Sequence, residues 1–204
     1  MSEKPSLTNP TLETIRRRHS IRQFSEEAVS EEEIKTILEA ANQAPSAHNQ
    51  QSWHFVVVRG DKRLELSELV VEKSRDYPKP SSSLLRMAAR SIASAPVTIA
   101  VANTGDLIEH GTELFKVERE VAFDFFRTME IQSSAAAVEN LLLAATSLGL
   151  ASVWLGVLFL IKEEVLDFLG EPGGEFMAVI PIGHALKESS GPSKKSLEYA
   201  VRRL

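Results

Sequence analysis

Nine consecutive residues, Arg16-Arg17-Arg18-His19-Ser20-Ile21-Arg22-Gln23-Phe24, gather guanidinium groups, an imidazole and a hydroxyl in one short segment. Guanidinium forks bind phosphate oxygens in pairs, and serine adds a neutral donor, so the run suits a small phosphorylated ligand. Taken alone, a basic run is more often a solvated face. A second cluster, Ala44-Pro45-Ser46-Ala47-His48-Asn49-Gln50-Gln51-Ser52-Trp53, carries amides and hydroxyls that can read the edge of a heterocycle without adding charge. By composition it is as readily a polar loop. The other chemistry-bearing patterns are missing. His19, His48, His54, His110 and His184 have no partner at motif spacing, and there is no G-x-S-x-G, H-E-x-x-H, Walker A or G-x-G-x-x-G sequence. The chain has no cysteine, which removes disulfides, thiolate zinc sites, iron–sulfur clusters and cysteine nucleophiles together. Redox chemistry, if there is any, has to come from a cofactor, and no metal site is expected.

The elements that would position these clusters read as mixed α and β. Asn9-Pro10 opens a short helix that ends near Arg18. Ser30 and Glu33 form a capping box, followed by Ile34, Ile37, Leu38 and Ala41 at helical spacing until Pro45. Strands are expected over 53–58, 97–102 and 176–182, and helices around Leu66 and Val70, over 85–92 and over 162–169. Residues 77–83 read as a mobile surface loop. A helix over 118–127 carries Phe123, Phe125 and Phe126, which serve a lid, a subunit contact or the core. From Ile131 a second helix is apolar all round. Residues 141–161 carry no charge and are long enough to cross a bilayer. Gly149, Gly156 and the polar Thr146, Ser147 and Ser152 interrupt them, so they read as helix, turn and a buried strand from 152 onward.

With 204 residues, 43% apolar and 25% charged, the composition is that of an ordinary globular domain. Twenty-three Lys and Arg against 28 Asp and Glu give a net charge of -5, which argues against a nucleic-acid partner. The first ten residues contain no signal-peptide core, so a cytoplasmic protein without membrane attachment is expected.

Together, RHSIRQF, APSAHNQQSW, the apolar run into LGLASVWLG, the strand ending IPIGHAL and the tail GPSKKSLE occur in an order that resembles the nitroreductase family of FMN-dependent oxidoreductases over essentially the whole chain. The resemblance implies an α+β fold: a nitroreductase-like α/β sandwich whose central mixed or antiparallel sheet is surrounded by helices. It also implies an intertwined homodimer. The chain would be one FMN-binding domain over 1–204, with 185–204 as a C-terminal extension exchanged with the partner subunit. FMN would be the cofactor, NADH or NADPH the hydride donor, and a small electron-poor molecule the acceptor in a ping-pong reaction. Arg18, Ser20 and Arg22, with His19 between them, match residues that hold the flavin's phosphate, ribityl chain and pyrimidine edge. Pro45, Ser46, Ala47 and Asn49 match a segment that reaches the flavin from the other subunit. Leu155 and Gly156 match backbone near the flavin N5, and Lys194, with Lys195 beside it, falls at a phosphate-binding position. No catalytic side chain is implied, because the chemistry is the cofactor's.

The chain also departs from the pattern. Ser52 replaces a common proline, Leu155 stands where some relatives have glutamate, and Lys194 replaces an arginine and so loses its fork. His184 reads as a structural histidine. The alternatives are a specialised enzyme on the same scaffold (a reductive dehalogenase, a flavin-fragmenting or a deazaflavin-related enzyme) and a non-catalytic flavin-binding protein. A structural interaction module would contain no flavin.

Overall fold

The structure is a computed structural model that describes residues 8–116 and 118–204. The sequence reading of the leader falls largely on residues 1–7, outside the described residues, as does Val117. Four strands, β1 (Trp53–Arg59), β2 (Val97–Asn103), β3 (Ala151–Ser152) and β4 (Glu175–Gly183), form one sheet in the order β1-β2-β4-β3. Every pairing in it is antiparallel, with Trp53 opposite Asn103 and Val97 opposite Ile182. The mixed alternative is therefore not the one adopted. The one parallel pairing among the described residues is an isolated bridge between Ser20 and Ser152.

β2 is buried at every position, which explains why its sequence is continuously apolar rather than alternating. Ile99 and Val101 face a core built with α2 (Glu31–Asn42) and α6 (Arg119–Ser147). Ala100 and Ala102 face the opposite core, built with α3 (Gly60–Lys73), α4 (Ser81–Ser94) and α7 (Lys162–Leu169). The result is a helix–sheet–helix sandwich. α1 (Pro10–Arg17) starts at its Asn9 cap, and α2 starts at the complete Ser30/Glu33 capping box. α5 (Asp106–Phe115), which the sequence reading left unassigned, packs on the first turns of α6 around Leu107, Ala122 and Phe126.

Four expectations are corrected. The helices read over 118–127 and from 131 are one 29-residue helix, because Thr128, Met129 and Glu130 contain no breaker. That helix is not buried all round: Gln132 and Glu139 are exposed, and Ala135, Ala136, Leu143 and Ala144 are half-buried. The strand read from 152 stops at Ser152, and Gly156–Ile161 winds into 3₁₀ turns that bury Leu158 and Ile161. Its β-branched and aromatic residues reported burial, not extension. The loop read over 77–83 is shorter, since α4 begins at Ser81 and buries Ser82, while the Tyr77 hydroxyl donates to the Leu160 carbonyl.

The aromatic trio divides. Phe126 is buried at 1% exposure, while Phe123 and Phe125 are about half exposed, at 51% and 49%. Among the described residues, no helix is long and apolar enough to cross a membrane. The tail from 187 to 204 is exposed throughout and contains only the short α8 (Leu197–Ala200).

Candidate functional site

After α1 the chain is extended and pinned to the edge of the sheet. The Ile21 N–H donates to Ser152 O at 3.0 Å, Ser25 N–H to His184 O at 2.9 Å, and Leu186 N–H to Gln23 O at 3.0 Å. Ile21 packs toward the α3–α4 core, while its neighbours Ser20 and Arg22 are exposed. Arg18 Nε lies 3.6 Å from Glu139 Oε1 on α6.

His19 brings the far end of the chain to this segment. Its Nδ1 is 2.9 Å from the Arg17 carbonyl, and because a carbonyl only accepts, Nδ1 carries the hydrogen. Nε2 then accepts from the Ser189 hydroxyl at 3.1 Å. Gly191 passes so close that a Cβ there would come within 2.6 Å of His19 Cβ, which requires glycine. These contacts close a cavity of about 690 Å³, lined by Arg16, Arg17, Arg18 and His19 on one side and by the tail with Glu188 and Lys194 on the other. Four cationic side chains against one carboxylate give it an excess of positive charge suited to an anion, and its volume is within the size range of small-molecule pockets. Ser20 and Arg22 are exposed beside the cavity and outside its lining. Lys195 is outside it too, with Nζ 4.4 Å from the Tyr199 ring.

The second cluster forms a constrained loop. His48, Asn49 and Gln51 all have φ near +53° to +54°, three left-handed non-glycine residues within four positions. Such backbone costs about 1–3 kcal/mol per residue and persists only where its surroundings hold it. Here the Ala47 N–H donates to Ser133 Oγ on α6 at 3.1 Å and the Gln51 N–H to Ser46 Oγ at 3.1 Å. Trp53 Nε1 donates to Asn42 Oδ1 at 3.0 Å, and the His48 ring meets Phe115 edge-on at 6.0 Å. Pro45 and Asn49 are exposed, and Ser46 and Ala47 are half-buried. The loop does not line the arginine cavity of its own chain. Both are referenced to α6, through Ser133 and Glu139, six residues or about 9 Å apart along the helix axis.

Leu155 is buried at 4% exposure, and its N–H is spent on Val179 O at 2.9 Å, so its side chain belongs to the core. Gly156 is exposed, and a Cβ there would meet nothing within 4 Å, which leaves its backbone open to a ligand. His184 sits 3.6 Å from Glu27, an exposed pairing at the sheet edge.

Sequence reasoning missed Glu139, Ser133 and above all Glu130. Glu130 falls on the same buried face of α6 as Ala122, Phe126, Ser134 and Ala137, and a carboxyl at that spacing was the signal that could have found it. Burial pushes its pKa up. The Leu107 N–H, the Ser52 hydroxyl and the Ile108 N–H oppose that shift, and the charge of Asp106 adds to it.

Residues 15–184 match the nitroreductase family profile. The chain belongs to the nitroreductase family. It is 34% identical over 146 residues, 72% of this chain and 67% of the relative, to a protein of Archaeoglobus fulgidus assigned as an NADH dehydrogenase/NAD(P)H nitroreductase. A protein of Methanothermobacter thermautotrophicus with the same assignment is 33% identical over 185 residues, 85% of this chain and 76% of that one. The fold is similar to that of a nitroreductase solved in complex with FMN from Desulfovibrio desulfuricans, at a TM-score of 0.73 and 30% identity over 97% of this chain and 98% of that chain.

Proposed function

We propose that this chain is an FMN-dependent oxidoreductase that takes hydride from NADH or NADPH and reduces small electron-poor acceptors such as nitroaromatics and quinones. The observation that carries this reading is the cavity in which the tail brings Lys194 to the Arg16–Arg18 run, within a chain of the nitroreductase family. The donor set fits the cofactor: cations for a phosphate, hydroxyl and guanidinium groups for a polyol and a pyrimidine edge, and an open backbone at Gly156. Bound FMN would supply the two-electron chemistry, so no side-chain acid or base is required.

In this reading Arg18 and Lys194 hold the phosphate, with His19 fixing the tail against them. Ser20 and Arg22 contact the rest of the flavin, and Lys195 supports the phosphate side. The backbone at Leu155-Gly156 approaches the ring. Pro45, Ser46, Ala47 and Asn49 come from a second copy, because in their own chain they do not line the cavity. A homodimer in which the chain beyond Lys194 crosses to the partner accounts for apolar surface a monomer would leave in water. α1 buries no residue and exposes Leu12 and Ile15, while Leu197, Tyr199 and Leu204 stand out along the tail.

Steady-state oxidation of NADH and NADPH with a quinone or nitroaromatic acceptor tests the reading. Sustained turnover with parallel double-reciprocal lines is expected from two half-reactions at one cofactor. A protein that holds flavin yet does not turn over would instead be a passive flavin binder.

A further inference from the structure

A buried polar cluster brings together the end of the Pro45–Ser52 loop, the end of β2, the first turn of α5 and the middle of α6. Glu130 is 1% exposed, and its Oε1 accepts the N–H of Leu107, in the first turn of α5, at 2.8 Å. The hydroxyl of Ser52, buried at the end of the loop that carries Ser46 to Asn49, faces the same carboxyl. Among the described residues neither Glu130 Oε2 nor Ser52 Oγ has a hydrogen-bond partner, so two buried polar atoms are left unpaired in the same cluster. Asn103, the last residue of β2, accepts from the Ser134 hydroxyl next door, and the Thr104 N–H donates to Ser52 O at 3.3 Å.

We propose that Glu130 is a positioning residue that ties the 45–49 loop to the first turn of α5 through its carboxyl group, and that loss of its proton loosens both. For its effect on catalysis the proposal rests on the reading of that loop as flavin-facing. For its effect on structure it rests on the cluster alone.

A protonated Oε2 can donate to Ser52 Oγ while Oε1 keeps the Leu107 N–H, so one hydrogen satisfies two buried atoms. An ionised carboxyl would keep hydrogen bonds but gain a buried charge with little to neutralise it. On α5, Asp106 and Glu109 are negative. On α6, Arg127 lines the adjoining cavity but is engaged by Glu175 at the start of β4. Across that cavity Lys162 is accompanied by Glu163 and Asp167 on α7. The β2 side contributes only the neutral Asn103. Burial and this acidic setting hold the proton on Glu130 above the ordinary carboxylate range. The folded state therefore binds more protons than the unfolded chain. This group's contribution is complete at pH below the ordinary carboxylate range and is lost as pH rises through its raised pKa.

Amide hydrogen exchange of the flavin-loaded protein, corrected for intrinsic rate and read over a pH series, tests this. Peptides covering 44–52 and 104–116 are followed, with β2 as the internal reference. In the wild type both peptides are expected to lose protection together, by up to about tenfold per pH unit between the ordinary carboxylate range and the raised pKa of Glu130, and to level off above it. Over the same interval the KM for the acceptor rises. Glu130→Gln, which keeps an acceptor for Leu107 but does not titrate, makes both exchange and KM insensitive to pH. Ser52→Ala, which leaves the carboxyl in place, lowers protection of 44–52 but not of 104–116. Independent responses of the two peptides, or an unchanged pH dependence in Glu130→Gln, overturn the proposal. A protein that holds no flavin would defeat the functional reading while leaving the exchange comparison intact.

Discussion

Arg18→Ala separates a phosphate grip from a surface ion pair. The Arg18 side chain is 22% exposed, and its partner Glu139, at 3.6 Å, is 49% exposed. A pair this open contributes about 0–1 kcal/mol to folding, so the melting temperature of the apoprotein is expected to move little. Charge-assisted hydrogen bonds to a phosphate are stronger, at about 1.5–3 kcal/mol, and their loss raises the Kd for FMN by about 10–150-fold. Arg18→Lys keeps the charge without the fork and falls between. Lys194 sits on the solvated tail, so Lys194→Ala weakens binding by about tenfold or less, and high salt erases the difference. The assay is quenching of flavin fluorescence on titration into apoprotein at low and high salt. An Arg18→Ala protein that binds FMN as tightly as its parent would refute this reasoning. So would one whose weaker binding is explained by a melting temperature that has collapsed.

Two further substitutions probe the scaffold. A Cβ at Gly111 would enter the ring of Phe126, which Phe115 and Phe125 hold edge-on at 5.2 and 5.1 Å. In Gly111→Ala, overpacking of about 1–3 kcal/mol outweighs a helix-propensity gain of about 1 kcal/mol, and faster hydrogen exchange is expected in α5 but not in β2. Ser30→Ala removes the capping box at a cost of about 1 kcal/mol, read as a fall of about 2–4 °C in melting temperature. The Ser30 hydroxyl and N–H hold the Glu33 pKa low. The wild-type advantage over Ser30→Ala is therefore present at neutral pH and shrinks as pH falls through the lowered pKa.

The parts of the fold legible in the sequence were those whose signal is local. The Ser30/Glu33 box, the continuous apolar run of β2 and the Gly149 break after α6 each carry their own physical reason within a few residues. The stretch after Ser152 was misread because β-branched and aromatic residues mark burial, and burial is equally served by 3₁₀ turns against β4. In the candidate site, residue types disclosed the arginine run and the amide loop. They could not disclose that Ser189 and Gly191 close on His19 from 170 residues away. Nor do residue types show that His48, Asn49 and Gln51 are left-handed: Asn and His tolerate that backbone, and only tertiary contacts impose it. Glu130 stayed hidden because a lone carboxyl in a mixed segment reads as solvated until the helix face it occupies is known.

The central claim is that the cavity between the arginine run and the tail holds FMN. The visible absorption spectrum of the freshly purified protein, followed by release and chromatographic identification of the chromophore, tests it most directly. The expected result is a yellow protein that releases FMN, about one per chain, or takes it up to that level when the flavin is added. A colourless protein that does not take up added FMN would contradict the account, and Arg16, Arg17 and Arg18 would return to being a solvated face.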